Sequence, residues 1–167
     1  MQSEFLKVGN PNKIANAYQG VLDPAAILLI REQARHHTAA MYKLGVSHYR
    51  FAISLSRPHW RQKISRLYYA GYNVSKSVRF DSDGNHSSDV KDHQKVGSLP
   101  DDFPNRATYE NELKNLRNDR NLCDYDHIAM ASDLLKSTKY YKHLITEFLR
   151  DAHDHLRTRG VSLEKKI

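Results

Sequence analysis

Residues 60–80 read WRQKISRLYYAGYNVSKSVRF, and Ile64, Leu67, Tyr68, Gly71, Val74 and Val78 fall within it at three- and four-residue intervals. That spacing places them on one stripe of a helix with about 3.6 residues per turn, whereas a half-buried strand would alternate at every second residue. No stretch of the chain alternates in that way, and no internal repeat or low-complexity tract interrupts it. The stripe predicts a core helix that starts after Ser56-Arg57-Pro58 and runs to about Phe80.

On the N-terminal side, Asp23-Pro24 supplies an N-cap followed by proline at the first helical position. Ala25 to Leu44 therefore reads as a helix ending at Gly45, and Val46 to Leu55 as a short apolar stretch able to be helical. Residues 1–22 are polar and carry the breakers Gly9, Asn10, Pro11 and Gly20, so they read as an arm or irregular segment.

On the C-terminal side, Asp81-Ser82-Asp83-Gly84-Asn85 and the stretch from Gly97 to Pro104 are breaks, with room for a short helix between them. Asn105 can cap a helix starting at Arg106, whose Tyr109, Leu113, Leu116 and Cys123 share a face. A long helix is then expected from about Asp126 to Arg157, with Ile128, Ala131, Leu135, Ile145, Phe148, Ala152 and Leu156 on its buried side. Residues 161–167 form a basic tail. The expected fold is all-α, an antiparallel bundle of four or five helices in one domain over residues 23–160.

The chain of 167 residues suits one hydrophobic core. With 40% hydrophobic and 27% charged residues it can bury a core, unlike a disordered chain. A net charge of +7 favours polyanionic partners without naming one. The lone Cys123 rules out an internal disulfide and a cysteine-based zinc cluster, so a reducing cytoplasm is expected. The longest apolar run, Ala25 to Ile30, is too short to cross a bilayer, and neither export nor membrane association is expected.

Chemistry concentrates in Leu116-Arg117-Asn118-Asp119-Arg120-Asn121-Leu122-Cys123-Asp124-Tyr125-Asp126-His127. With Leu113 at 0°, a turn of about 100° per residue puts Leu116 near −60°, Tyr109 near −40° and Arg120 near −20°. A permanent cation in an apolar stripe needs a partner, because an unpaired buried charge loses several kcal/mol of solvation. Either an acid such as Asp124, Asp126 or Glu32 pairs with it, or it faces an anion-binding groove or a second subunit. His127 lies two helical turns further on, and a chain break at Asp124 or Asp126 would bring it closer.

This stretch resembles the HEPN (higher eukaryotes and prokaryotes nucleotide-binding) superfamily, whose signature is an arginine, a polar residue, and a histidine after four to six intervening residues. Here it reads Arg120-Asn121, five residues, His127. The flanking Asp124-Tyr125-Asp126 and the earlier Leu67-Tyr68-Tyr69-Ala70-Gly71-Tyr72 extend the likeness over roughly residues 57–157. The bare spacing also occurs at Arg31 with His36 and His37, Arg79 with His86, and Arg150 with His155; the flanking residues single out Arg120.

The resemblance implies an endoribonuclease of toxin or antiviral-defence type that needs no metal or cofactor and acts on RNA as a homodimer. A nucleotidyltransferase-type antitoxin or another defence protein would restrain it. In that scheme Arg120 holds the scissile phosphate, Asn121 orients the phosphate or the imidazole, and His127 moves the proton. Arg117, Arg61 and Arg66 would contact the RNA backbone, though the cluster Arg57, Arg61, Lys63 and Arg66 equally fits a solvated surface. A HEPN module that binds nucleotide, RNA or a protein without turnover is the alternative. Tyr68, Tyr69 and Tyr72 read as packing residues, Cys123 as a small packed residue, and His36-His37 and Asp151/His153/His155 as solvated helix faces rather than metal ligands.

Overall fold

A computed structural model describes residues 10–84 and 90–164. Five α-helices account for most of them: α1 (Pro11–Ala17), α2 (Pro24–Ser54), α3 (Trp60–Asp83), α4 (Arg106–Tyr125) and α5 (Thr138–Thr158). Short 3₁₀ turns lie at Arg57–His59, Val90–Lys95 and Ala131–Asp133, and there is no strand among the described residues. No helix among them is long and apolar enough to cross a membrane.

The α3 stripe is the centre of the molecule: Ile64, Leu67, Tyr68, Val74 and Val78 are all buried. They meet Leu113 and Leu116 of α4 and Tyr141, Ile145, Phe148 and Leu149 of α5 in one apolar cluster. Neighbouring helices run antiparallel, as their contacts show. His48 of α2 sits beside Tyr69 and Thr38 accepts from Ser77, so α2 descends as α3 ascends. Between α4 and α5, Tyr109 meets Asp151 while Asp119 meets Tyr141.

Three boundaries differ from the sequence reading. The first long helix does not stop at Gly45 but continues to Ser54. Gly45 is there because α2 and α3 nearly touch: a Cβ at this position would lie 2.6 Å from Val74 Cγ2 and 2.9 Å from the Ala70 carbonyl oxygen. A helix-breaking residue was retained for close approach, and the helical ladder absorbed its conformational cost. Similarly, α3 extends through Asp83 and ends on Gly84, whose φ of 63° is the left-handed conformation glycine adopts freely.

The largest difference concerns residues 126–137, expected as the first third of a long helix. They form a loop, and α5 begins only at Thr138. Ile128, Ala131 and Leu135, expected on the buried side, are exposed. Polar side chains capture the backbone here instead of the helical ladder. Asp126 accepts from the amides of Ile128 and Ala129, Asp133 from Met130, and Ser137 from Tyr140. The expected N-terminal arm is also more ordered from residue 10 on: Asn10 caps α1, which packs on α2 and buries Ala15. The part of that arm before residue 10 lies outside the described residues, as do residues 165–167 of the tail. Val161 of the tail is buried.

Candidate functional site

On α4, Arg117, Arg120, Asn121 and Tyr125 recur at three- and four-residue intervals and so project from one side of the helix. Facing them are Tyr68 of α3 and His93 and Gln94 of the Val90–Lys95 turn, and the seven line an open groove of about 540 Å³. Arg120 sits on the groove wall with 19% of its side chain exposed. The buried members of α4 are Tyr109, Leu113, Leu116, Asp119 and Cys123. Their mean direction is near −60° on the helical wheel, which puts Arg120 on the shoulder of the stripe rather than in its middle.

Arg120 is held on every side. Its Nη2 donates to the Tyr69 hydroxyl at 3.0 Å and Nη1 to Asn121 Oδ1 at 3.2 Å. Asp124 Oδ2 stands 2.8 Å from Nε, off the N–H axis, so the two form a charge pair rather than an aligned hydrogen bond. The guanidinium carbon also lies 5.6–5.8 Å from the ring centres of Tyr68, Tyr69 and Tyr125, within cation–π range. Of the acids considered from sequence, Asp124 is the partner.

The structure brings Arg117, Arg120 and Asn121 together and leaves the other named residues elsewhere. His127 is exposed on the loop after α4 and does not line the groove. That loop is pinned by Arg61, which donates from Nη1 to the carbonyls of Cys123 and Asp126, both at 2.7 Å, and from Nη2 to Ala129 at 2.6 Å and His127 at 3.5 Å. Arg61 thereby closes the free carbonyls at the end of α4, a structural task. Arg66 lies over the Phe51 ring at 5.4 Å, outside the groove.

Sequence reasoning missed Gln94 of the groove and, with more consequence, His93. Its ring stacks on Tyr72 with centroids 4.2 Å apart and planes 17° apart, and its Nδ1 lies 2.7 Å from the Tyr68 hydroxyl. The turn that carries it is anchored one residue earlier, where Asp92 accepts two hydrogen bonds from Arg79, each 3.0 Å, and one from Tyr72 at 2.9 Å. Burial works against ionisation of Asp92, but Arg79 and Tyr72 outweigh it and hold the carboxyl below its ordinary value. Tyr68, read as packing, is both buried and a groove wall. Burial pushes its hydroxyl up to about 12 against the pull of Arg120 and Arg117, so it stays protonated.

Elsewhere, Cys123 is a packed thiol that burial pushes up to about 11, far from a nucleophile's range. His153, read as solvated, is buried, with Nε2 3.0 Å from the Glu164 carbonyl. Asp151 accepts from the Tyr109 hydroxyl at 2.7 Å. Among the described residues, no three histidine, cysteine or carboxylate side chains converge as a metal-binding group.

Burial lowers the pKa of three histidines: His48, helped by Arg66; His93, helped by Arg120; and His155, where Asp102 opposes it. A histidine with a depressed folded-state pKa binds its proton more readily unfolded, so stability rises with pH between the two values. The fold should therefore be most stable above the unfolded histidine value of about 6.5 and lose stability as pH falls through the lowered folded values. Urea midpoints from pH 8 to 5.5 measure this; a midpoint that holds or rises toward pH 5.5 would contradict it.

No family model matches the chain, and neither does any curated protein or solved structure.

Proposed function

We propose that the chain is a HEPN-type bundle acting as a metal-independent endoribonuclease, with Arg120 as its phosphate-binding residue. The observation that carries this reading is the groove: two arginines, two side-chain amides, tyrosine rings and an imidazole converge in a space able to take a nucleotide phosphate. An arginine fork suits a phosphodiester's paired oxygens and the charge that grows on them in the transition state. Tyr125, 72% exposed, offers a ring face to a base. Attack by the adjacent 2′-hydroxyl supplies the nucleophile from the substrate itself.

His127, the histidine of the signature, reaches such a phosphate in this reading through a homodimer. The loop that carries it exposes Ile128, Met130 and Leu135, at 90%, 64% and 57% exposure, and a second copy of the chain would cover them. The net charge of +7 favours RNA as the substrate. A nucleotidyltransferase-type antitoxin, or another defence protein, is the proposed restraint on the activity.

A specific observation favours a second reading. Asp124 already neutralises Arg120, and His127 lies outside the groove of its own subunit, which fits a module that binds RNA or nucleotide without turnover. Incubation with mixed RNA in the presence of EDTA separates the two. The nuclease reading expects fragments ending in 2′,3′-cyclic phosphate, and a rate about a hundredfold lower for Arg120→Ala, the loss typical of one transition-state donor. RNA retained but left intact by the unmutated protein selects the binding module.

A further inference from the structure

The Arg120 groove already contains an imidazole, and it belongs to His93. Its orientation is set twice, by stacking on Tyr72 and by the contact between Nδ1 and the Tyr68 hydroxyl. That contact occupies Nδ1 and makes Nε2 the nitrogen to meet a ligand. The backbone under the ring is fixed as well, because Asp92 ties the turn to Arg79 in the core. Across the groove stand Arg120, Arg117 and Asn121 of α4.

We propose that His93, as an imidazolium, and Arg120 together hold one phosphodiester in this groove. The proposal rests on the reading of the groove as a phosphodiester site but not on turnover.

The charges facing His93 explain why a bound phosphodiester would matter to it. Arg120 and Arg117 approach from α4 and Lys76 from α3, all opposing a second cation, while Asp92 on its own turn favours one. The remaining neighbours are the rings of Tyr68, Tyr69 and Tyr72. Burial, the largest influence, also opposes the charged ring. An anion bound between Arg120 and His93 reverses that balance, so binding takes up a proton and tightens as pH falls from 8 to 6.

The test uses the full chain with isotopically labelled histidine and a mixed-sequence 2′-O-methyl RNA oligonucleotide, which binds as a phosphodiester but lacks the attacking hydroxyl. Imidazole resonances are followed against pH with and without the oligonucleotide. The expected result is a rise of about one unit in the His93 pKa, matched by about tenfold tighter binding at low pH, with the His127 resonance responding less. His93→Gln should remove the pH dependence of binding; if that variant does not fold, the titration of the unmutated protein still decides.

An unmoved His93, a shift at His127 in its place, or no binding would each overturn the proposal. Unmodified RNA distinguishes its failure from that of the nuclease reading. Cleavage with the His93 pKa unmoved by the oligonucleotide sinks this proposal alone, whereas a His93 shift without cleavage removes turnover and leaves the phosphodiester site standing.

Discussion

Replacing Arg79 by alanine should lower the stability of the domain by about 3–5 kcal/mol, the cost of breaking a buried ion pair from one side. Arg79 and Asp92 are 6% and 3% exposed, and the guanidinium engages both carboxylate oxygens. Without it the carboxylate keeps only the Tyr72 hydroxyl and the charge of Lys76 nearby, which places the loss toward the lower end of the range. The pH dependence gives a sharper check. In the unmutated protein Asp92 is held below its ordinary value, so its contribution persists above the unfolded carboxylate range and disappears as pH falls through the lowered folded value. In the variant burial is opposed less, the carboxyl shifts upward, and protonation relieves it. The stability gap should therefore be widest at pH 7 and narrow by pH 4.5. A variant within about 1 kcal/mol of the parent at neutral pH would show that the pair does not anchor the turn.

That ion pair also explains why the groove was only half legible in the sequence. The side contributed by α4 was readable: helical spacing puts Arg117, Arg120, Asn121 and Tyr125 together, and Asp124 one turn beyond Arg120. The side contributed by His93 was not, because nothing local fixes it. It rides on a short 3₁₀ turn whose position is decided by Asp92 reaching thirteen residues back to Arg79, and pairs at that separation have no periodic signature. The helices divide in the same way. In α3 and α4 the apolar stripe and the packed face coincide, so pattern and structure agree. Asn105 marks the start of α4 correctly, yet with φ at 52° and without the side-chain hydrogen bond expected of a cap.

The region from 126 to 137 carried opposing signals, and the quieter one prevailed. Ile128, Ala131 and Leu135 fit a helical period, but Asp126, Asp133 and Ser137 each offer a backbone amide an acceptor outside the helix. Three capping residues within twelve positions argue for interruption more strongly than three apolar residues argue for continuity. Arg61 and Asp119 then fix the resulting loop from outside, one through its carbonyls and the other through its amides. Sequence reasoning gave Arg61 to an RNA contact or a solvated surface, and gave Asp119 no role at all.

Asp119 yields the second large effect: alanine there should cost about 4 kcal/mol. The residue is 2% exposed, and its carboxylate accepts from the Leu135 amide at 3.0 Å, the Lys136 amide at 3.3 Å and the Tyr141 hydroxyl at 2.7 Å. Hydrogen bonds to a charged group contribute about 1.5–3 kcal/mol, and a stranded buried donor costs about 1–3 kcal/mol. The two amides lie near the surface and can turn to water, but the fully buried Tyr141 hydroxyl has no such recourse. The sum is therefore well short of three full bonds. Asp119→Asn keeps the volume and one acceptor oxygen, so it should lose about half as much. That ordering separates hydrogen bonding from packing, since a cavity effect alone would leave the asparagine variant near the parent. Denaturation midpoints of both variants, read beside hydrogen exchange at the Leu135 and Lys136 amides, measure it. Slow exchange retained at those amides in Asp119→Ala would show that something other than this carboxylate holds the loop against α4.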